Sequence, residues 1–121
     1  MLSEHAVEGL MAASPEKRYK SFLNTVTDLE EVWFLSGKAG YATIDIDGYV
    51  HVLIFPRREF CEILMSDDER PSSMEIHDFV ESCQSLDENI RFMVFPTKEN
   101  SYIVTSSRLC EDIAAYLEAI E

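Results

Sequence analysis

The Asp47-Gly48 pair is the feature of this sequence that most constrains its fold. It separates two runs rich in strand-forming residues, 41–46 and 49–55. Asp-Gly is favoured in two-residue hairpin loops because both loop positions need a positive φ angle, which glycine adopts freely and aspartate tolerates. The sequence therefore predicts an antiparallel hairpin over residues 41–55.

The register of this hairpin places apolar side chains on both faces of a sheet. With a two-residue loop, three facing pairs share one face with Phe55: Ile46 with Tyr49, Ile44 with His51, and Ala42 with Leu53. The other face carries Tyr41, Thr43, Asp45, Val50, Val52 and Ile54. Because both faces are largely apolar, we expect at least part of the sheet to be covered on both sides.

Helical spacing and capping residues predict helices before and after the hairpin. Ser14-Pro15 is typical of a helix start, since serine caps the first turn and proline needs no N–H partner there. Ser72 and Glu75 have the spacing of a capping box, after a polar loop at 66–72. The predicted helices cover approximately 4–13, 15–26, 57–66, 76–83 and 106–120, and the further strands 32–35, 90–95 and 101–104.

The length of 121 residues suits one domain. We predict a single α+β domain over residues 1–121, with residues 1–13 as a loosely packed N-terminal helix. It has about five mostly antiparallel strands in two hairpin units and four to five helices, in the order α-β-β-β-α-α-β-β-α.

The chain is strongly acidic, with 23 aspartates and glutamates against 10 lysines and arginines and a formal net charge of −13. This charge argues against nucleic acid and anionic membrane surfaces as ligands, because both are polyanions. No apolar run approaches the roughly 18 residues of a membrane span, and the N-terminus has no signal-peptide pattern. Three cysteines without a close pair suit a reducing compartment, so we expect a soluble, cytoplasmic protein.

Sequence motifs for the common cofactor chemistries are absent. Four glycines cannot build a phosphate-binding or dinucleotide-binding loop, and no Gly-x-Ser-x-Gly element is present. His77 and Cys83 are six residues apart on one predicted helix, so they point to different sides. Asp45-Ile46-Asp47-Gly48 resembles the opening of a calcium loop but lacks the later ligands. We therefore predict neither a cofactor nor a metal site.

Two residues are candidates for catalysis. His51 falls on an apolar sheet face, where an imidazole is costly unless a partner bonds it, and beside a carboxylate it could act as a general base. The alternative is a structural histidine bonded to a hydroxyl, such as that of Tyr49, or to the backbone. Cys61 follows Arg57 and Arg58 in a predicted helix, and nearby cations lower the pKa of a thiol. The alternative is a buried packing residue, because free cysteines are commonly buried and inert.

Charged residues give two candidate binding sites. Residues 67–90 contain eight acids and one base, and Asp67, Asp68, Glu69 and Glu81 could present an acidic face to a basic protein partner. The alternative is a solvated helix with its loops. Arg57 and Arg58 form a possible anion site, unless they only balance nearby carboxylates.

The order and spacing of several landmarks resemble an uncharacterised bacterial family catalogued as domain of unknown function 2750. The resemblance covers roughly residues 14–120 and implies a small α+β protein of bacterial origin, with no catalytic residues to carry over. The matching landmarks are Arg18-Tyr19 with Phe22-Leu23, Glu31 to Leu35, Gly40-Tyr41, Phe55-Pro56 with Glu59-Phe60, Ile76 with Phe79, Phe95-Pro96-Thr97, Val104-Thr105, and Leu109 with Asp112-Ile113.

The function that these patterns favour is a non-enzymatic protein-binding module, accessory or immunity-like, that blocks a basic partner. One alternative is a small hydrolase or transferase using His51 or Cys61. Another is a small-anion sensor at Arg57 and Arg58. Trp33, Phe34 and the apolar hairpin could also form a homodimer interface, or lie beneath a second helical layer.

Overall fold

The Asp47-Gly48 hairpin belongs to a mixed sheet in the structure, a computed structural model that describes residues 3–97 and 100–120. The described residues form five helices and seven strands. The helices are α1 (Glu4–Ala12), α2 (Pro15–Leu29), α3 (Arg58–Leu64), α4 (Ile76–Gln84) and α5 (Ser106–Ile120). The strands are β1 (Glu31–Gly37), β2 (Gly40–Tyr41), β3 (Thr43–Ile46), β4 (Tyr49–Phe55), β5 (Arg70–Glu75), β6 (Ile90–Val94) and β7 (Tyr102–Thr105). The predicted α+β class is confirmed.

The β3–β4 hairpin has the predicted turn and register. Asp47 and Gly48 have φ angles of 52° and 84°, which is the pattern of a two-residue turn with both positions left-handed. Ile46 lies opposite Tyr49 and Ile44 opposite His51, as predicted. The chain bends at Ala42, which separates β2 on β1 from β3 on β4.

The sheet runs β2-β1-β4-β6-β7, with β3 on β4 and β5 on β1. Pairing is antiparallel except between β4 and β6, which are parallel. The prediction of about five strands is low by two, β2 and β5. Both added strands pair with β1, so the sheet extends beyond the two predicted hairpin units.

The structure has strand β5 at residues Arg70–Glu75, where the sequence predicted the end of a polar loop and a capping box formed by Ser72 and Glu75. Ser72 pairs with Phe34 across the β5–β1 ladder, so it cannot cap a helix. The N-cap of α4 is Glu75 itself, whose carboxylate accepts from the backbone N–H groups of His77 at 2.9 Å and Asp78 at 3.2 Å. The capping-box prediction was wrong because pairing along β1 outweighs the local preference of this polar segment.

The start of α2 agrees with the sequence. Ser14 caps the helix by accepting from the N–H of Lys17 at 3.3 Å, and Pro15 is the first helical residue. The predicted apolar stripe of Tyr19, Phe22, Leu23 and Val26 is buried.

Helices α2 and α4 contact one face of the sheet. The ring of Phe79 on α4 lies 5.9 Å from Phe34 and 5.4 Å from Phe92, and Tyr19 on α2 stacks on Tyr102 at 4.3 Å. Leu53, Phe55 and Met93 belong to the opposite face and are also buried. The middle of the sheet is therefore covered on both sides, as predicted.

None of the described helices combines the length and the apolar character needed to cross a membrane.

Candidate functional site

His51 is buried, with 3% of its surface exposed, on the face of β4 that it shares with Ile44 and Arg91. Its Nδ1 lies 3.1 Å from the carbonyl oxygen of Ile44. A carbonyl oxygen only accepts, so Nδ1 donates this hydrogen bond. This bond fastens the imidazole to β3, which is the backbone-bonded alternative that the sequence left open.

The neighbour of His51 on β6 is an arginine rather than a carboxylate. Arg91 lies opposite His51, and its guanidinium carbon is 3.6 Å from the centre of the Tyr49 ring. Within the described chain, Arg91 Nε is buried without a hydrogen-bond partner, and no carboxylate bonds to His51. Sequence reasoning missed this stack, although an arginine inside an apolar strand was a visible signal. The cluster lacks the carboxylate that the general-base hypothesis requires.

Cys61 is fully buried and poorly placed for nucleophilic chemistry. Its Sγ lies 3.7 Å from the carbonyl oxygen of Phe34, in donor geometry. Burial, and secondarily the charge of Glu62, raises the pKa of the Cys61 thiol to about 12. The expected help from nearby cations is small, because Arg58 pairs with Glu62 at 3.2 Å.

The other two cysteines lie next to each other. The side chains of Cys83 on α4 and Cys110 on α5 lie close enough to affect each other's pKa. Cys110 also donates to the carbonyl oxygen of Val80 at 3.8 Å. Burial raises the pKa of both thiols, so neither is a ready nucleophile at neutral pH.

Arg57 and Arg58 do not act together. Arg58 is exposed and forms its ion pair with Glu62 along α3. Arg57 lines a cavity of about 620 Å³ between α2 and α5. The predicted two-arginine anion site is therefore divided between two surfaces.

Two of the four acids of the proposed acidic face share a cavity with cations. Asp67 and Asp68 line a cavity of about 590 Å³ together with the cations Lys38 and Arg70. No ion pair joins these two acids to either cation among the described residues.

Glu69 and Glu81 have different settings. Glu69 accepts from the backbone N–H and the hydroxyl of Ser66, both at 3.0 Å, and so holds its own loop together. Glu81 is exposed on α4. The four acids are therefore not equivalent members of one surface.

Strand β3 is an exposed edge strand of the sheet. All four of its residues are exposed, and Ile44 and Ile46 keep 43% and 40% of their surface in solvent. In the described chain β3 pairs with β4 alone, so its second edge has no strand partner. Long unpaired edges are normally blunted in proteins, because they are ready to pair with another chain.

The register identifies which backbone groups face that open edge. In a hairpin with a two-residue loop, the flanking pair is hydrogen-bonded, and bonded and non-bonded pairs then alternate. Ile46 and Ile44 therefore bond to Tyr49 and His51, while the N–H and C=O groups of Thr43 and Asp45 point away from β4.

Acidic residues surround the tip of the hairpin. Asp45 and Asp47 lie on it, and the hydrogen bond from Val50 N to Asn89 O, 2.9 Å long, brings the segment with Asp87 and Glu88 beside it. None of these four acids forms an ion pair within the described residues. The open edge thus combines backbone donors and acceptors, two exposed isoleucines and the charges of Asp45 and Asp47, whereas Asp87 and Glu88 lie across β4, on its β6 side.

No family model matches the chain, and no curated protein matches it in sequence. The resemblance to domain of unknown function 2750 stays a prediction from the sequence.

Proposed function

We propose that this chain is a non-enzymatic protein-binding module, of accessory or immunity-like type, that captures an extended segment of a basic partner along β3. The observation that carries the proposal is the open edge of β3, with its exposed Ile44 and Ile46. A partner strand added there gains backbone hydrogen bonds, and alternate side chains of that strand meet the two isoleucines.

Charge supports a basic partner. Asp45 and Asp47 lie on the hairpin itself, and Asp87 and Glu88, from the acidic segment 67–90, lie on the other side of β4. Unpaired acids around an apolar contact steer a basic protein and reject an acidic one. We therefore expect binding to weaken as the salt concentration rises.

The test is affinity capture of the tagged protein from a lysate of its source, with quantitative mass spectrometry of the captured proteins. Asp45→Pro removes an N–H that faces the open edge and leaves the bonds to β4 intact. Asp45→Asn removes only the charge and is the matched control. We expect one stoichiometric basic partner. Asp45→Pro should reduce the captured amount of this partner at least tenfold, and Asp45→Asn should reduce it only slightly.

A second variant tests the side chains. Ile44→Lys with Ile46→Lys should abolish capture, whereas Ile103→Lys, at an equally exposed isoleucine on β7, should not. Capture that survives both Asp45→Pro and the double lysine variant would place the partner elsewhere. Light scattering of the purified protein tests whether β3 pairs with a second copy of the chain instead. A dimer that is lost in Asp45→Pro would show this.

A further inference from the structure

The cavity between α2 and α5 holds charged groups of both signs. Arg57 lines it from the segment after β4, and Asp28 lines it from the last turn of α2. The two side chains form no ion pair with each other or with any other described residue. In a chain with 23 acids and 10 bases, a half-buried arginine without an acid is unexpected.

Neutral polar groups line the same cavity. The side chains of Asn24 and Thr25 on α2, and the hydroxyl of Tyr116 on α5, have no hydrogen-bond partner within the described chain. Ala115 and Ala119 complete the α5 wall and leave the space open. The volume of about 620 Å³ lies within the range of small-molecule sites.

The position of Arg57 is fixed by the fold. Pro56, which is buried, separates it from the end of β4, and the Arg57 carbonyl accepts from the N–H of Phe60 at 3.2 Å. Its side chain makes no capping bond to α3. The backbone of Arg57 is thus held at the carboxyl end of a strand with a parallel neighbour, where open sheets commonly place their ligands.

We propose that this cavity binds a small zwitterion, a molecule with a carboxylate and a primary amine, between Arg57 and Asp28. The planar guanidinium of Arg57 binds the carboxylate through two parallel hydrogen bonds. The carboxylate of Asp28 accepts from the ammonium group. The polar side chains of Asn24 and Tyr116 supply further hydrogen bonds to the two charged ends of the ligand, and the methylene groups between those ends lie along Ala115 and Ala119. This site is independent of β3 and of the proposed protein partner.

The test is a titration of the full chain with a series of ω-amino acids, from glycine through 4-aminobutyrate to 6-aminohexanoate, followed by calorimetry and amide chemical shifts. We expect one member of the series to bind best, with shifts confined to residues around Asp28, Arg57 and Tyr116. The best length reports the separation of the two charges. Arg57→Gln should weaken binding at least tenfold, whereas Arg58→Gln, the neighbouring arginine outside the cavity, should change it less than twofold.

A second comparison separates a zwitterion site from a plain anion site. Asp28→Asn should weaken binding of the best amino acid at least fivefold and leave the corresponding amine-free carboxylate unaffected. Equal binding of both compounds, with no effect of Asp28→Asn, would overturn the proposal in favour of a simple anion site. Absence of binding across the series, or shifts at another surface, would also overturn it. Asp45→Pro should not alter the titration, so failure here and failure of the β3 proposal are distinguishable.

Discussion

Arg18 Nε donates to the carbonyl oxygen of Phe95 at 3.2 Å and so fastens the first turns of α2 to the end of β6. Arg18 is 1% exposed, and its terminal nitrogens also bond the carbonyl oxygen of Ala13 and the side chain of Asn100. Phe95 has a φ of 49°, a left-handed conformation that aromatic residues rarely adopt. The buried guanidinium donates hydrogen bonds to backbone carbonyl groups that lie outside the strands and helices, at Phe95 and Ala13.

Arg18→Met should destabilise the fold strongly. The apolar stem is preserved, but the carbonyl groups of Phe95 and Ala13 lose a buried charged donor. Unpaired buried acceptors cost about 1–3 kcal/mol each, so we expect the free energy of unfolding to fall by roughly 3 kcal/mol. Urea unfolding followed by the fluorescence of Trp33 measures it.

Arg58→Met is the matched control for this loss. Arg58 forms an exposed pair with Glu62 four residues along α3, and such pairs contribute about 0.3–0.5 kcal/mol. A similar loss in both variants would show that Arg18 stabilises the fold by its charge in general rather than by the bonds that it makes.

Glu30→Gly should stabilise the protein. Glu30 ends α2 with a φ of 60°, which glycine adopts without the steric cost that other residues have. The exposed side chain makes no bond in the described chain, and the carbonyl that accepts from Ile76 N at 2.9 Å is kept. We expect a gain of about 0.5–1 kcal/mol in urea unfolding. Lys20→Gly, at an exposed position in the interior of the same helix, should cost about 1 kcal/mol, and equal effects at the two positions would contradict the left-handed explanation.

The stability of the fold should decrease above pH 9. Burial raises the pKa of Cys61 from 9.0 to about 12, so between these values the unfolded chain has lost a proton that the folded chain keeps. The stability that this group contributes is fully present below pH 9 and is lost as pH rises towards 12, at up to about 1.4 kcal/mol per pH unit. Cys61→Ala should reduce this slope between pH 9 and 10 in urea unfolding, and the remainder comes from groups such as Cys83 and Cys110, whose pKa values burial also raises. Its lower stability at pH 7 does not affect the comparison of slopes, and an unchanged slope would contradict the assignment.

Local sequence signals were enough to predict the hairpin and the start of α2. The turn at Asp47-Gly48 and the cap at Ser14 each involve residues no more than three positions apart in the sequence. Such local features can be recognised from the sequence alone. Strand β5 was not predictable in this way, because the polar run Arg70–Glu75 becomes a strand only when β1 lies beside it. Non-local pairing also decides the parallel β4–β6 contact.

In the candidate sites too, single residues could be predicted from the sequence but their neighbours in space could not. The sequence singled out His51 and Arg57, but it could not show that the neighbour of His51 is Arg91 or that Arg57 meets Asp28 in a cavity. Both neighbours come from elements far away in the chain. The adjacent Arg57 and Arg58 suggested one site, whereas the turn from β4 into α3 directs their side chains to different surfaces.

Alkylation of the three thiols tests the remaining nucleophilic hypothesis. Cys61 and Cys83 are buried, and the pKa of each thiol is raised mainly by that burial, so both should react with iodoacetamide only when the protein unfolds. Cys110 is half-buried and should react first in the folded protein at pH 7.5. Peptide mass spectrometry over time, with a urea-unfolded sample as the reference, gives the three rates. We expect Cys61 to react at least a hundredfold more slowly in the folded protein than in urea. If Cys61 instead reacted first and fast, the thiolate would be stabilised despite its burial, and a hydrolase or transferase built on Cys61 would become the better explanation.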